Sequence, residues 1–391
     1  MPIAVYVLAL AAFAIGTAEF IISGILPPLA GDLQVSLPTA GLLVTAYAVG
    51  VAIGGPLVSI FTARFPPKNV LIVVLATFAA SQVLCALAPD YGLLLAARLL
   101  SACGHGVFFG TGNVVVAGLV PPDRRGGALA LFIGGITVAN LLGLPGGTAI
   151  GVALGWRATF IAVAALGLLA MAGIAALLPT TPGESHEASS LRRQLRALRH
   201  HEVYLSYLTI AIVMTGALAF ATYQVAMLIE VTRVDAAIVP LYLLLGGVGS
   251  MLGIYAGGRA TDWKPMPWLI AILLLQALLA FLMLFALHDK LLMAITIFAY
   301  GIAGFAFSTP LQARIIHAAR EAPNLASALI STAFNIGIAG GALLGAMLLN
   351  AGIGLAQLPA VGIATGLAAA VVAAISQHLD RRSLSPAPVS F

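Results

Sequence analysis

Charge is what this sequence has least of. Only 8% of its 391 residues are Asp, Glu, Lys or Arg, against about 25% in soluble domains. That shortage excludes a water-soluble enzyme or binding domain. The basic residues, 18 Lys and Arg against 13 Asp and Glu, fall almost entirely in short segments between apolar runs. It forms no patch of the kind that binds nucleic acid, and no nucleic-acid partner is expected. Cysteine is nearly absent. Cys85 and Cys103 both fall in apolar segments, which excludes a disulfide framework and a metal-ligand spacing. No metal or cofactor is expected. The first apolar run lacks a basic leader and a cleavage site, so it reads as a retained helix rather than a signal peptide.

Apolar sequence is what the chain has in abundance. Hydrophobic residues make up 61%, and the mean hydropathy is +1.09. A bilayer core about 30 Å thick needs roughly 20 helical residues to span it. By that criterion the runs at 3–29, 39–62, 70–88, 91–119, 127–151, 157–178, 204–229, 238–257, 267–287, 290–315, 324–350 and 356–378 are twelve transmembrane helices. An all-α polytopic membrane protein follows, with the bilayer as its constant partner. With the N-terminus in the cytoplasm, fourteen of the Lys and Arg residues fall in cytoplasmic loops and three outside. That bias predicts both termini cytoplasmic.

The longest polar stretch divides the chain. Residues 1–180 are expected to form one six-helix bundle and 204–380 a second, joined by a linker at 181–203 and followed by a tail at 381–391. In the linker, Leu191, Leu195 and Leu198 share a helical face flanked by Arg192, Arg193, Arg196 and Arg199. That suits either a helix lying on an anionic membrane surface or a solvated connection. The two bundles echo each other. Gly135 and Gly143 have the spacing of Gly337 and Gly345, and Gly50, Gly54 and Gly55 that of Gly253, Gly257 and Gly258. Duplicated halves about an axis along the membrane normal are a transporter architecture, with the substrate site between them.

Glu19 lies inside the first span. A carboxylate there costs on the order of 3 kcal/mol unless paired, hydrated or protonated. It points to proton or solute movement, or else to a tie between helices. Arg98 is the one Lys or Arg inside a span, and Glu19 is its expected partner. His105 lies two turns along the same helix, where it suits proton exchange or a bond to a backbone carbonyl. Tyr47, Asn113, Asn140, Tyr223, Gln224 and Asn335 are polar groups within apolar spans. Each can line a wet cavity or bond another helix. Ser101 and His105 share a face, but no acid orienter accompanies them, so an intramembrane hydrolase is not supported.

Several strings resemble the major facilitator superfamily, and within it the drug:proton antiporter branch of sugar-efflux, purine-efflux and chloramphenicol-resistance transporters. They are Gly16-Thr17-Ala18-Glu19-Phe20, Arg98-Leu99-Leu100-Ser101 with His105-Gly106, Gly143-Leu144-Pro145-Gly146-Gly147, Gly155-Trp156-Arg157 and Phe334-Asn335-Ile336-Gly337. The resemblance implies twelve helices in two pseudo-symmetric halves. It implies that spans 1, 4, 7 and 10 line the cavity, and that Glu19, Arg98 and His105 couple protons. It also implies gating motifs. One falls at Gly258 to Asp262; its counterpart near Arg64 and Lys68 has Ser59 for the motif glycine and Ala63 for the aspartate. The antiporter signature falls at Gly143 and Pro145, with Leu144 between them. After Arg98, Ala102 replaces the usual glycine. The implied activity is proton-coupled efflux of sugars, nucleobases or drugs across a bacterial inner membrane by a monomer. Symport or facilitated uptake of a small polar solute is the alternative.

The uneven motif copies predict an uneven inner gate. Asp262→Asn is expected to shift the population toward the inward-open form, because a charge-assisted contact worth about 1.5–3 kcal/mol is lost from one state only. Thiol labelling on each face in a chain lacking Cys85 and Cys103 checks this; an unchanged pattern removes Asp262 from the gate.

Overall fold

The computed structural model describes residues 1–179, 200–319 and 323–384. The predicted linker helix lies outside them. Twelve helices are long and apolar enough to cross a membrane. They are α1 (Ile3–Asp32), α2 (Leu37–Thr62), α3 (Pro67–Leu87), α4 (Tyr91–Gly118), α5 (Pro122–Leu154), α6 (Trp156–Leu177), α7 (His201–Glu230), α8 (Val239–Thr261), α9 (Pro265–Ala286), α10 (Lys290–Ala318), α11 (Leu325–Asn350) and α12 (Leu355–Arg381). No strand occurs among the described residues. Helices satisfy their own backbone groups, which lipid cannot do. Hereafter the near face is the side where α1 begins, and the far face is the opposite one.

The first six helices and the last six pack alike. α1 packs on α5 and α6, α3 on α4 and α6, and α2 on α4. The equivalent pairings α7 with α11 and α12, α9 with α10 and α12, and α8 with α10 recur in the second half. Local chemistry repeats as well. Asp90 accepts a hydrogen bond from the Leu93 N–H (2.9 Å) and starts α4. Asp289 does the same for α10 through Leu292 (2.8 Å). Two of the few carboxylates are therefore helix caps.

The glycine echo becomes a packing rule. Lipid supplies no hydrophobic drive between helices, so close van der Waals approach holds them together. On α5, Gly135, Ala139, Gly143, Gly147 and Gly151 form a stripe with a four-residue period that lies along α1, where added methyl groups would overlap Ala12, Thr17, Ile21 and Ile25. On α8, Gly249, Gly253 and Gly257 lie against the backbone of α10. Gly55 and Gly106 bring α2 and α4 together so tightly that a Cβ on Gly55 would lie 2.8 Å from the Gly106 Cα.

Two helices carry π-helical turns, Gly50–Gly54 in α2 and Ala139–Gly143 in α5. Each is followed two residues later by a proline, Pro56 or Pro145. A proline ring collides with the carbonyl four residues back. Those carbonyls, on Ala52 and Leu141, fall inside the π turns, where the wider winding relieves the collision.

The halves meet on one side only. The principal contacts between them join α2 to α11, the far part of α5 to α8, and the far ends of α1 and α7. One hydrophobic cluster runs across that seam, from Ile25, Leu29 and Leu43 to Met227 and Leu243. The near parts of α2 and α5, beyond their π turns, form their principal contacts within their own half. The molecule is therefore closed at the far face and parted at the near face.

Charged ties secure each end. At the far face Arg157 pairs with Asp32 and donates to the Ala88 carbonyl (3.1 Å), joining α1, α3 and α6. At the near face both Asp380 oxygens accept from Arg314 (2.8 and 2.9 Å), and His201 Nε2 lies 3.0 Å from Asp380, joining α7, α10 and α12.

Gly253→Ala should lower thermal stability in detergent by about 1–3 kcal/mol, because its methyl group meets the Ile302 backbone. Gly258→Ala, five residues on and facing open space, should be neutral or slightly stabilising. Equal melting temperatures for the two variants would remove the packing argument.

Candidate functional site

Glu19 lies about 24 Å along α1 from Ile3 and about 20 Å from Asp32, at 1.5 Å per residue. It is half-buried. Among the described residues it has neither a hydrogen bond nor an ion pair. Arg98 on α4 is completely buried. Its Nη1 donates to the carbonyl of Ala18 (2.5 Å), the residue before Glu19. The expected Glu19–Arg98 pair is not formed, although each lies within the other's electrostatic reach. Arg98 instead stacks on the Tyr47 ring, 4.1 Å from the centroid. Its Nε and Nη2 have no protein acceptor, and an unmatched buried donor costs about 1–3 kcal/mol.

Tyr47 on α2 joins the cluster. Its hydroxyl lies 3.2 Å from His105 Nδ1, so His105 has a side-chain partner rather than a backbone carbonyl. The His105 ring also packs on Phe109, with centroids 5.0 Å apart. One turn from Arg98, Ser101 accepts from Gln82 Nε2 (3.0 Å), and the Gln82 amide oxygen is unmatched. The sequence reading missed Gln82; a glutamine in the apolar span at 70–88 was the available signal.

Elsewhere the predicted polar residues scatter. Asn113 is half-buried with an unmatched Oδ1. Asn140 lies in the π turn of α5, its carbonyl against Gly247 of α8 across the seam. Asn335 donates to the Ser331 carbonyl one turn back (3.0 Å). Tyr223 and Gln224 lie at a break in α7, between Ala221 and Gln224. Tyr223 is wholly buried and donates to the Ala342 carbonyl (3.2 Å). A side chain on Gly41 of α2 would overlap its ring. In this conformation Tyr223 therefore belongs to the far closure rather than to a cavity wall. Thr45 adds a bond across the seam to the Ala339 carbonyl (3.3 Å).

The gating residues divide by face. Gly143 presses on Thr17, two residues from Glu19, and Pro145 is buried beside it. At the parted near face Arg64 lies over Phe65 and Arg259 over Tyr255. Lys68 is half-buried, Asp262 is exposed, and Gly258 meets nothing within 4 Å. His201, Glu202 and Asp380 place ligand-type atoms within 4.8 Å of one another. Arg314 already occupies both Asp380 oxygens, so a guanidinium balances that group.

Comparison with known proteins identifies the family and the fold. The Major Facilitator Superfamily profile matches residues 8–342. The chain is 37% identical to the inner membrane transport protein YdhP of Escherichia coli strain K12, covering 93% of this chain and 94% of that one. It is 33% identical to a chloramphenicol resistance protein of Streptomyces lividans, with 90% of each covered. It is 30% identical to a probable sugar efflux transporter of Helicobacter acinonychis, with 93% of each covered. The fold resembles a bacterial homologue of the human lysosomal transporter Spinster in an inward-facing, unoccupied conformation, with a TM-score of 0.74, 18% identity and 98% of each chain covered. The matched family and these relatives are membrane transporters, not enzymes. This chain belongs to the Major Facilitator Superfamily and carries small solutes.

The far closure makes a direct prediction. Gly41→Leu should force α2 from α7 against the Tyr223 ring, an overpacking cost of about 1–3 kcal/mol. A lone cysteine at position 342 should then be alkylated from the far face roughly tenfold faster. Gly31→Leu, where nothing lies within 4 Å, should leave the rate unchanged.

Proposed function

We propose that this chain exports small organic solutes across a bacterial inner membrane in exchange for protons, with Glu19 as the proton carrier. Both termini are then cytoplasmic, the near face is the cytoplasmic face, and one chain suffices. The observation that carries the reading is Glu19 itself, a half-buried carboxyl group at mid-membrane with no bonding partner among the described residues. A structural tie would be bonded. A carrier must be free to gain and lose its proton and to be reached from alternate faces. Relatives named for chloramphenicol resistance and sugar efflux support the export direction.

In the near-open form Glu19 releases its proton to the cytoplasm and a solute enters between the halves. The unmatched N–H groups of Arg98 and the amide of Asn113 offer polar contacts to solute or water. The halves then rock about the π turns and the far closure opens. The solute leaves, Glu19 takes a proton, and the closure re-forms. One proton supplies about 1.4 kcal/mol per pH unit and about 2.3 kcal/mol per 100 mV. Together these sustain a solute gradient on the order of a few hundredfold.

The test uses proteoliposomes with radiolabelled chloramphenicol and a panel of sugars. Wild-type protein should drive solute uphill in exchange for protons moving down an imposed gradient. Glu19→Gln should insert normally and keep downhill counterflow while losing uphill exchange. Wild-type uphill transport by the Gln variant would end the carrier role. Solute moving in the same direction as the proton would replace export with symport.

A further inference from the structure

We propose that Tyr47 is a positioning residue that couples the charge cluster to the far closure, with α2 as the lever and its π turn as the hinge. The proposal rests on Glu19 as the proton carrier and adds how that proton is felt at the far closure, which α2 reaches about 9 Å along its axis from Tyr47 to Gly41. Helix α2 is an uninterrupted α-helix from Leu37 to Val49. Within it, Gly41 packs under Tyr223 and Thr45 bonds the Ala339 carbonyl, both across the seam between the halves. Tyr47, two residues on, faces the opposite way, into the first half. Its ring carries Arg98 at 4.1 Å and its hydroxyl meets His105 at 3.2 Å. One short rigid segment therefore touches the closure on one side and the charge cluster on the other.

Its pivot follows directly. Three residues after Tyr47 the α winding gives way to the π turn Gly50–Gly54. There α2 is pinned to α4, with Gly50 against Ala102, Gly54 against Cys103 and Gly55 against Gly106. Helix α4 also carries Arg98 and His105. The lever is thus hinged on the helix that bears the charges, and a small move at Tyr47 is carried along a stiff helix to Thr45 and Gly41.

The switch is competition for one guanidinium. The titratable groups within electrostatic reach of Arg98 are Glu19 on α1, Tyr47 on α2, Cys85 on α3 and His105 on α4 itself. Arg98 Nη1 is already anchored beside Glu19 through the Ala18 carbonyl, and two of its nitrogens have no protein acceptor. A protonated Glu19 leaves the guanidinium on the Tyr47 face, which holds α2 in the far-closed position seen here. An ionised Glu19 draws the guanidinium toward its carboxylate and off the ring, which frees α2. A cation–π contact between desolvated partners is strong enough to change such an equilibrium by about tenfold or more.

The experiment needs no substrate. Spin labels at Leu154→Cys and Ala351→Cys, both exposed at the far face, are placed in the full chain carrying Cys85→Ala and Cys103→Ala. Label distances are measured in lipid nanodiscs at pH 5.5 and pH 8.5. The unmodified site should show far-closed distances at low pH and a longer population at high pH. Glu19→Gln should stay short at both. Tyr47→Phe keeps the ring and should keep the response. Trifluorinated phenylalanine at position 47 keeps the shape but empties the ring face of negative charge, and should raise the far-open to far-closed ratio at low pH about tenfold. Equal responses with Phe and its fluorinated form would overturn the role of Tyr47 while leaving the carrier in place. A pH response that survives Glu19→Gln would overturn the carrier itself. No pH response in the unmodified site would overturn both.

Discussion

Backbone-to-backbone approach between helices is the constraint on which everything else here depends. In lipid, helices gain little by hiding apolar side chains from water, so their cohesion comes from close contact. The contacts that bring α5 to α1 and α2 to α4 also set the site. Gly143 fixes α1 at Thr17, two residues from Glu19. Gly106 and Gly55 fix α2 against α4, which brings the Tyr47 ring under Arg98. A single methyl group at either seam would displace the groups whose charge matters.

The molecule has few charges, and several of its carboxylates have an identifiable structural task. Asp90 and Asp289 start helices. Asp32 with Arg157, and Asp380 with Arg314, tie helix ends where water can reach them. Glu19 stands apart because no such task is visible. The distribution of packing completes that picture, since the halves are sealed on the far side and parted on the near side. A transporter needs one seal at a time, and the π turns mark where sealed and parted lengths of α2 and α5 meet.

Much of this was legible in the residues. Twelve spans follow from run length, because spanning a bilayer is a matter of local composition. The glycine spacings announced a repeated packing scheme, and the same pairs of helices use it in both halves. Glu19 was conspicuous because a carboxylate among apolar residues is anomalous without any fold. One expected pairing is not formed. Arg98 pointed to Glu19 as its partner because charges of opposite sign are the obvious match in lipid, yet an aromatic face and a carbonyl took that place. For Tyr223 the sequence left a cavity wall and an interhelical bond both open, and a break in α7 turns it into the far seam, where it bonds α11.

The sequence by itself determined the class of protein, its number of crossings, its two-fold repeat and the residue most costly to place in lipid. These depend on composition and on spacings along single helices. The tertiary structure alone decided which side is closed, which group receives Arg98, and that Asp380 draws Arg314 and His201 into one tie. Those outcomes depend on the rotation and approach of helices distant in the chain. Several side chains can satisfy a buried guanidinium or carboxylate equally well in principle, and only packing selects among them.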